Sequence, residues 1–102
     1  MVSVLEMILN KREVIKMNVN KFIRMVQEHK EVTIFGGAED GFVFTVSGTP
    51  DADDVSGIIL NNNGEQVFRL ESHSIKNVET YNNHKEYIIT TDTNRELSAW
   101  LA

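Results

Sequence analysis

Asn62-Asn63-Gly64 stands between two apolar segments, Ile58-Ile59-Leu60 before it and Gln66-Val67-Phe68-Arg69-Leu70 after it. An Asn-Gly pair accepts the positive φ angles of a two-residue turn, and the flanking segments supply its strands. The chain is committed to a hairpin here, and a lone hairpin is not stable in water. Its apolar face needs partners. Phe42-Val43-Phe44-Thr45-Val46 offers one, with Phe42, Phe44 and Val46 on one side of an extended segment. Glu31-Val32-Thr33-Ile34-Phe35 offers another, and Gly36-Gly37-Ala38-Glu39-Asp40-Gly41 between them is turn chemistry.

Asn18 is suited to cap a helix, with Met17 and Phe22 placed as a hydrophobic staple around it. Val19, Phe22, Ile23 and Val26 follow helical spacing and leave Lys21, Arg24, Gln27 and Glu28 on the opposite face. After the hairpin, Ile75 and Val78 suit a helical turn or a bent strand, and Glu86-Tyr87-Ile88-Ile89-Thr90 suits a strand. Thr93 and Glu96 have the spacing of a capping box, and Leu97, Trp100 and Leu101 would share the face of a short terminal helix. The expected fold is therefore α+β. One N-terminal helix packs on a small antiparallel sheet of three to five strands, or a partly open barrel, closed by a short C-terminal helix. The expected core is Phe22, Ile23, Val26, Ile34, Phe42, Phe44, Val46, Leu60, Leu70 and Trp100.

A chain of 102 residues is one domain, assigned here to residues 17–102. Residues 1–16 have two further readings. They extend the helix, offering a dimer seam within residues 1–30. Or they are a translated leader, because Lys11-Arg12-Glu13-Val14-Ile15-Lys16-Met17 can be encoded by a string containing GGAGGTGAT, a ribosome-binding sequence, ahead of an ATG.

Charge is divided along the chain. Residues 1–30 hold six Lys/Arg and three Glu, whereas residues 31–102 hold four Lys/Arg and twelve Asp/Glu. No basic side chain occurs from Glu31 to Phe68, a stretch that contains Glu39, Asp40, Asp51, Asp53, Asp54 and Glu65. Such a surface repels phosphate and attracts basic proteins. The absence of cysteine removes thiolate chemistry and disulfides, and fits a cytoplasmic protein. No segment has the length and apolarity of a membrane span.

No catalytic, cofactor or metal pattern emerges. Asp51, Asp53 and Asp54 resemble the start of a calcium loop, but Gly57 falls at the seventh position and Asn62 occupies the twelfth, where the EF-hand needs Gly at six and Glu at twelve. His29, His73 and His84 are scattered. Ser72 and Ser74 beside His73 lack the setting of a nucleophile. Glu39 and Asp40 argue against an anion site at Gly36-Gly37. Phe42, Phe44 and Phe68 fit a core better than a stacking platform, since platforms lie in basic grooves.

From Met17 onward the chain resembles a family of small phage-encoded anti-CRISPR proteins that inhibit the RNA-guided nuclease of type II systems. The resemblance rests on Met17-Asn18-x-Asn20, Ile23-Arg24, Thr33, Gly37 and Ile59-x-Asn61-Asn62-Asn63-Gly64. It implies a non-enzymatic inhibitor that sets acidic side chains where the nuclease would bind duplex DNA. Asn62, Asn63, Gly64 and Glu65 would carry that role, joined through their charge by Asp51, Asp53 and Asp54. A strongly acidic C-terminal helix belongs to that family and has no counterpart in this sequence. The order of helix and short strands, with His73-Ser74-Ile75-Lys76-Asn77-Val78-Glu79 before a late strand, is similar to small barrels of the Sm-like or SH3-like kind. That similarity implies the alternative, a nucleic-acid-binding or oligomeric regulatory protein using Lys21, Arg24, Lys30, Lys76 and Lys85. The leading expectation is an acidic module for a basic protein partner.

Overall fold

The computed structural model describes residues 15–37, 43–52, 56–80 and 86–102. Eight strands are found among them. In chain order they are β1 (Ile15–Met17), β2 (Val32–Gly37), β3 (Val43–Pro50), β4 (Gly57–Asn62), β5 (Glu65–Glu71), β6 (Ile75–Thr80), β7 (Glu86–Thr91) and β8 (Glu96–Leu101). One α-helix, α1 (Val19–Gln27), follows β1, and a 3-10 turn, Ser72–Ser74, joins β5 to β6. The strands form one antiparallel sheet in the order β1-β6-β7-β8-β2-β3-β4-β5.

Helix α1 starts where capping chemistry starts it. Asn18 is extended, and its Oδ1 accepts from the main-chain N–H groups of Asn20 at 2.9 Å and Lys21 at 3.2 Å. The N–H groups of Glu28 and His29 close the last turn on Met25 and Val26. Phe22, Ile23 and Val26 are fully buried. They form one cluster with Val32, Ile34, Ile58, Leu60, Ile75, Val78, Tyr87, Ile89 and Ala99. Ile75 and Val78 lie on β6, second in the sheet order, while Ile58 and Leu60 lie on β4, which is seventh. At about 4.8 Å per strand a flat sheet would hold them roughly 24 Å apart. The sheet must therefore curl around this cluster, with α1 lying over β4, β6 and the 3-10 turn. Phe22 meets the ring of Tyr87 with centroids 5.2 Å apart, and the Tyr87 hydroxyl donates to the sulfur of Met25.

The expected three- to five-stranded sheet is thus corrected to eight strands. The added ones pair over long sequence distances, β1 with β6 and β8 with β2. The expected C-terminal helix is also corrected, because residues 96–101 are strand β8. Leu97, Trp100 and Leu101 fit a helical spacing, but Leu97, Ala99 and Leu101 also alternate, and pairing to β7 and β2 satisfies the backbone on both sides. Thr93 caps nothing. Its hydroxyl meets that of Thr91, and Thr91 closes the β7–β8 turn, donating its N–H to the Arg95 carbonyl while its Oγ1 accepts from Arg95 N–H. Asn94 takes the positive φ, 61°, that this turn requires.

Two members of the expected core are corrected as well. Phe44 is 42% exposed and Trp100 48% exposed. Phe44 does point inward but lies beyond the end of the core, its ring resting on Gly36 across the strand pair and beside Leu97. Trp100 follows Ala99, the buried residue of β8, and so points outward. Val46 and Leu70 pack against the core only partly buried. Phe42 lies outside the described residues.

Candidate functional site: an acid-rimmed aromatic face

The site is built by alternation on four adjacent strands. On β7, Tyr87, Ile89 and Thr91 are buried, so Glu86, Ile88 and Thr90 face outward. On β8, Glu96, Ser98 and Trp100 face outward, and on β2 Thr33 and Phe35 do. On β3 the outward set is Val43, Thr45, Ser47 and Thr49. Register aligns these sets into rows across the sheet. One row is Glu86–Trp100–Thr33–Ser47, and the next is Ile88–Ser98–Phe35–Thr45.

Phe35 and Trp100 lie on adjacent strands and meet edge to face, with centroids 6.1 Å apart and planes at 71°. Phe35 is 38% exposed, and Val43, farther along the same face, is 77% exposed. Aromatic rings gain from burial, and this pair keeps much of its surface open to solvent.

Among the described residues, charge on this face has one sign. Strands β7, β8, β2, β3 and β4 contain no Lys or Arg, although β7 and β8 lie far in sequence from the other three. Glu86 is paired directly with Trp100, Glu96 lies beside the end of β2, and Glu31 precedes β2 on the outward side. Described basic side chains lie elsewhere: Lys16 on β1, Lys21 and Arg24 on α1, Lys30 after it, Lys76 on β6 and Arg95 in the β7–β8 turn. Arg69 on β5 is engaged by Glu71 at 2.6 Å.

Beside the aromatic pair is an open polar groove of about 300 Å³. Glu31, Ser47, Gly48, Thr49, Asn61, Asn62 and Asn63 line it. Three constraints shape it. Thr33 and Ser47 share a hydroxyl hydrogen bond of 2.8 Å across β2 and β3. The Asn62 Nδ2 donates to the Ser47 carbonyl at 3.4 Å, which ties the hairpin to β3. The main-chain oxygen of Glu31 accepts from Ala102 N–H, while the His29 Nδ1 lies 3.1 Å from the Ala102 oxygen. The C-terminal residue thus braces the rim.

Of the residues singled out from sequence, Asn62 and Asn63 line this groove. Gly64 and Glu65 do not. They form the rest of the β4–β5 turn, where Asn63 at φ 53° and Gly64 at φ 82° give the two positive angles expected of Asn-Gly. Asp51 is half-buried at the end of β3, its N–H bonded to the Ile59 carbonyl. Glu39, Asp40, Asp53 and Asp54 lie outside the described residues. Among the described residues, no group of three or more His, Asp or Glu is placed to hold a metal ion, and no helix is long and apolar enough to cross a membrane.

Phe35 and Trp100 were not singled out from sequence, yet a signal existed for each. Val32 and Ile34 claim one face of β2, which leaves Phe35 with Thr33 on the other. Once β8 is a strand, Trp100 shares its face with Glu96 and Ser98. Comparison with protein-family models, with curated proteins and with solved structures finds no match to this chain.

Proposed function

We propose that this chain is a non-catalytic protein-binding module that docks a basic partner on the outward face of β7, β8, β2 and β3. The observation that carries the proposal is the exposed Phe35–Trp100 pair on a face that holds no basic side chain among the described residues and is rimmed by Glu31, Glu86 and Glu96. Such a face divides the labour of binding. The rings supply an apolar anchor that gains when water is excluded. The carboxylates steer a basic partner and reject acidic ones, chiefly through the association rate. A partner that handles nucleic acid presents a basic surface of the matching sign. An acidic module seated there would exclude phosphate and act by competition, and the sequence resemblance to phage-encoded inhibitors supports the role of a cytoplasmic phage or mobile-element inhibitor.

The test is differential capture from a lysate of the native cell with three baits. These are the unaltered chain, a Phe35→Ser/Trp100→Ser variant, and a Lys21→Gln/Arg24→Gln variant. Far-UV circular dichroism checks that each is folded. The expected result is a set of basic proteins that survives nuclease treatment, weakens at high salt, and is lost from the aromatic variant by roughly tenfold or more. The helix variant should retain it. Capture that requires nucleic acid, or that is lost with Lys21 and Arg24 instead, would overturn the proposal in favour of nucleic-acid binding.

A further inference from the structure

The groove beside the aromatic pair is distinct from it in chemistry. Its lining offers the Glu31 carboxylate, the hydroxyls of Ser47 and Thr49, and three consecutive side-chain amides, with no cationic side chain. The Asn62 Nδ2 is directed to the Ser47 carbonyl, so its Oδ1 is left as an acceptor. A volume of about 300 Å³ falls at the lower end of the range for clefts that hold small ligands or single side chains. A guest must therefore be small, positively charged and rich in donors.

We propose that this groove receives an arginine side chain of the partner, an inference that rests on the docking face proposed above and specifies its ligand. A guanidinium presents five N–H donors in a planar fork, which can engage a carboxylate and neighbouring amide and hydroxyl oxygens together. A lysine ammonium is compact and strongly hydrated, and an open groove does less to replace its water. The sheet geometry also fixes where the arginine stands relative to the apolar anchor. Trp100 is paired with Thr33, and Thr33 with Ser47 at the groove. That separation is two strand spacings, about 10 Å, or roughly three residues of extended chain. The face thus selects an extended segment crossing β8, β2 and β3, with an apolar residue on Phe35 and Trp100 and an arginine two or four positions away, on the same side of the segment, in the groove.

The test uses the full chain labelled with nitrogen-15, titrated with N-acetyl-argininamide and, separately, N-acetyl-lysinamide. The arginine compound should give saturable shifts confined to Glu31, Ser47–Thr49 and Asn61–Asn63. The lysine compound should bind roughly fivefold more weakly. Glu31→Gln should weaken the arginine compound by a similar factor, while Glu86→Gln, a carboxylate elsewhere on the same face, should not. Absence of saturable shifts at these residues would overturn the proposal, as would equal binding of the two compounds or equal weakening by Glu31→Gln and Glu86→Gln. The two readings fail separately. Loss of the arginine response with partner capture still dependent on Phe35 and Trp100 removes the groove alone. An arginine response with capture indifferent to those rings removes the docking face alone.

Discussion

Phe22→Ala should lower the unfolding free energy by about 4 kcal/mol, among the largest effects of any single truncation in this chain. Phe22 has no exposed surface and is the helix's main insertion into the curled sheet. Its ring touches Tyr87 on β7, and its neighbours in the cluster come from β2, β4, β6 and β8. Truncation removes the transfer free energy of the ring, leaves a cavity where sheet and helix meet, and forfeits an aromatic pair of about 1 kcal/mol. Small domains are stable by only about 5–15 kcal/mol, so the variant would sit near the limit of folding. Urea unfolding followed by far-UV circular dichroism measures this. Trp100 fluorescence is a poor probe, because the indole is already half exposed in the native state. Phe22→Leu should recover roughly half of the loss. An alanine variant within 1 kcal/mol of the parent would mean that α1 does not close the core.

Gly57→Ala should cost about 3 kcal/mol, through backbone collision and not through lost contact. A Cβ at Gly57 would run into the main-chain carbonyl oxygen of Leu70, with Glu71 Cα 2.8 Å away. These atoms belong to β5, which Gly57 pairs in register at Glu71. No side chain can swing aside, so the two strands would have to separate where Ser72 N–H bonds the Ser56 carbonyl and the chain turns towards β6. Gly64→Ala is the informative contrast. The space around it is open, but its φ of 82° disfavours a side chain, at a cost of about 1 kcal/mol. The order of the two urea midpoints checks the account. A Gly57→Ala variant more stable than Gly64→Ala would contradict the close approach of β4 and β5.

What could be read from sequence was local. Asn18 as a cap, the apolar stripe of α1 and the Asn63-Gly64 turn each depend on residues within a few positions of one another, and each is found. The number of strands was not local. The pairing of β8 with β2 closes over more than sixty positions, and nothing in either segment names its partner. The C-terminal segment failed for a specific reason. Leu97, Trp100 and Leu101 satisfy a helical period, while Leu97, Ala99 and Leu101 satisfy a strand period, and only the neighbouring strands decide between them. That error carried Trp100 into the expected core and hid the candidate site. The charge asymmetry was legible, but its spatial form was not. Strands β7 and β8 lie far in sequence from the acidic middle of the chain, yet stand beside β2 and β3 and extend the same face with two further strands that contain no Lys or Arg. The bulge at Val67, where Leu60 faces Phe68 and Asn61 faces Gln66, also escapes alternation, since one extra residue shifts its phase.

A partner docked on the aromatic face would lie within reach of β3. Thr45 is outward-facing and paired with Phe35, which makes it a probe that leaves both rings intact. A photoreactive benzoylphenylalanine in place of Thr45, with Asn20 on the exposed side of α1 as the comparison position, reports contact directly when illuminated in a lysate of the native cell. Covalent adducts with a basic protein are expected from position 45, abolished by Trp100→Ser, and none from position 20. Adducts from position 20 alone, or adducts from position 45 that persist unchanged in the Trp100→Ser background, would contradict docking on this face.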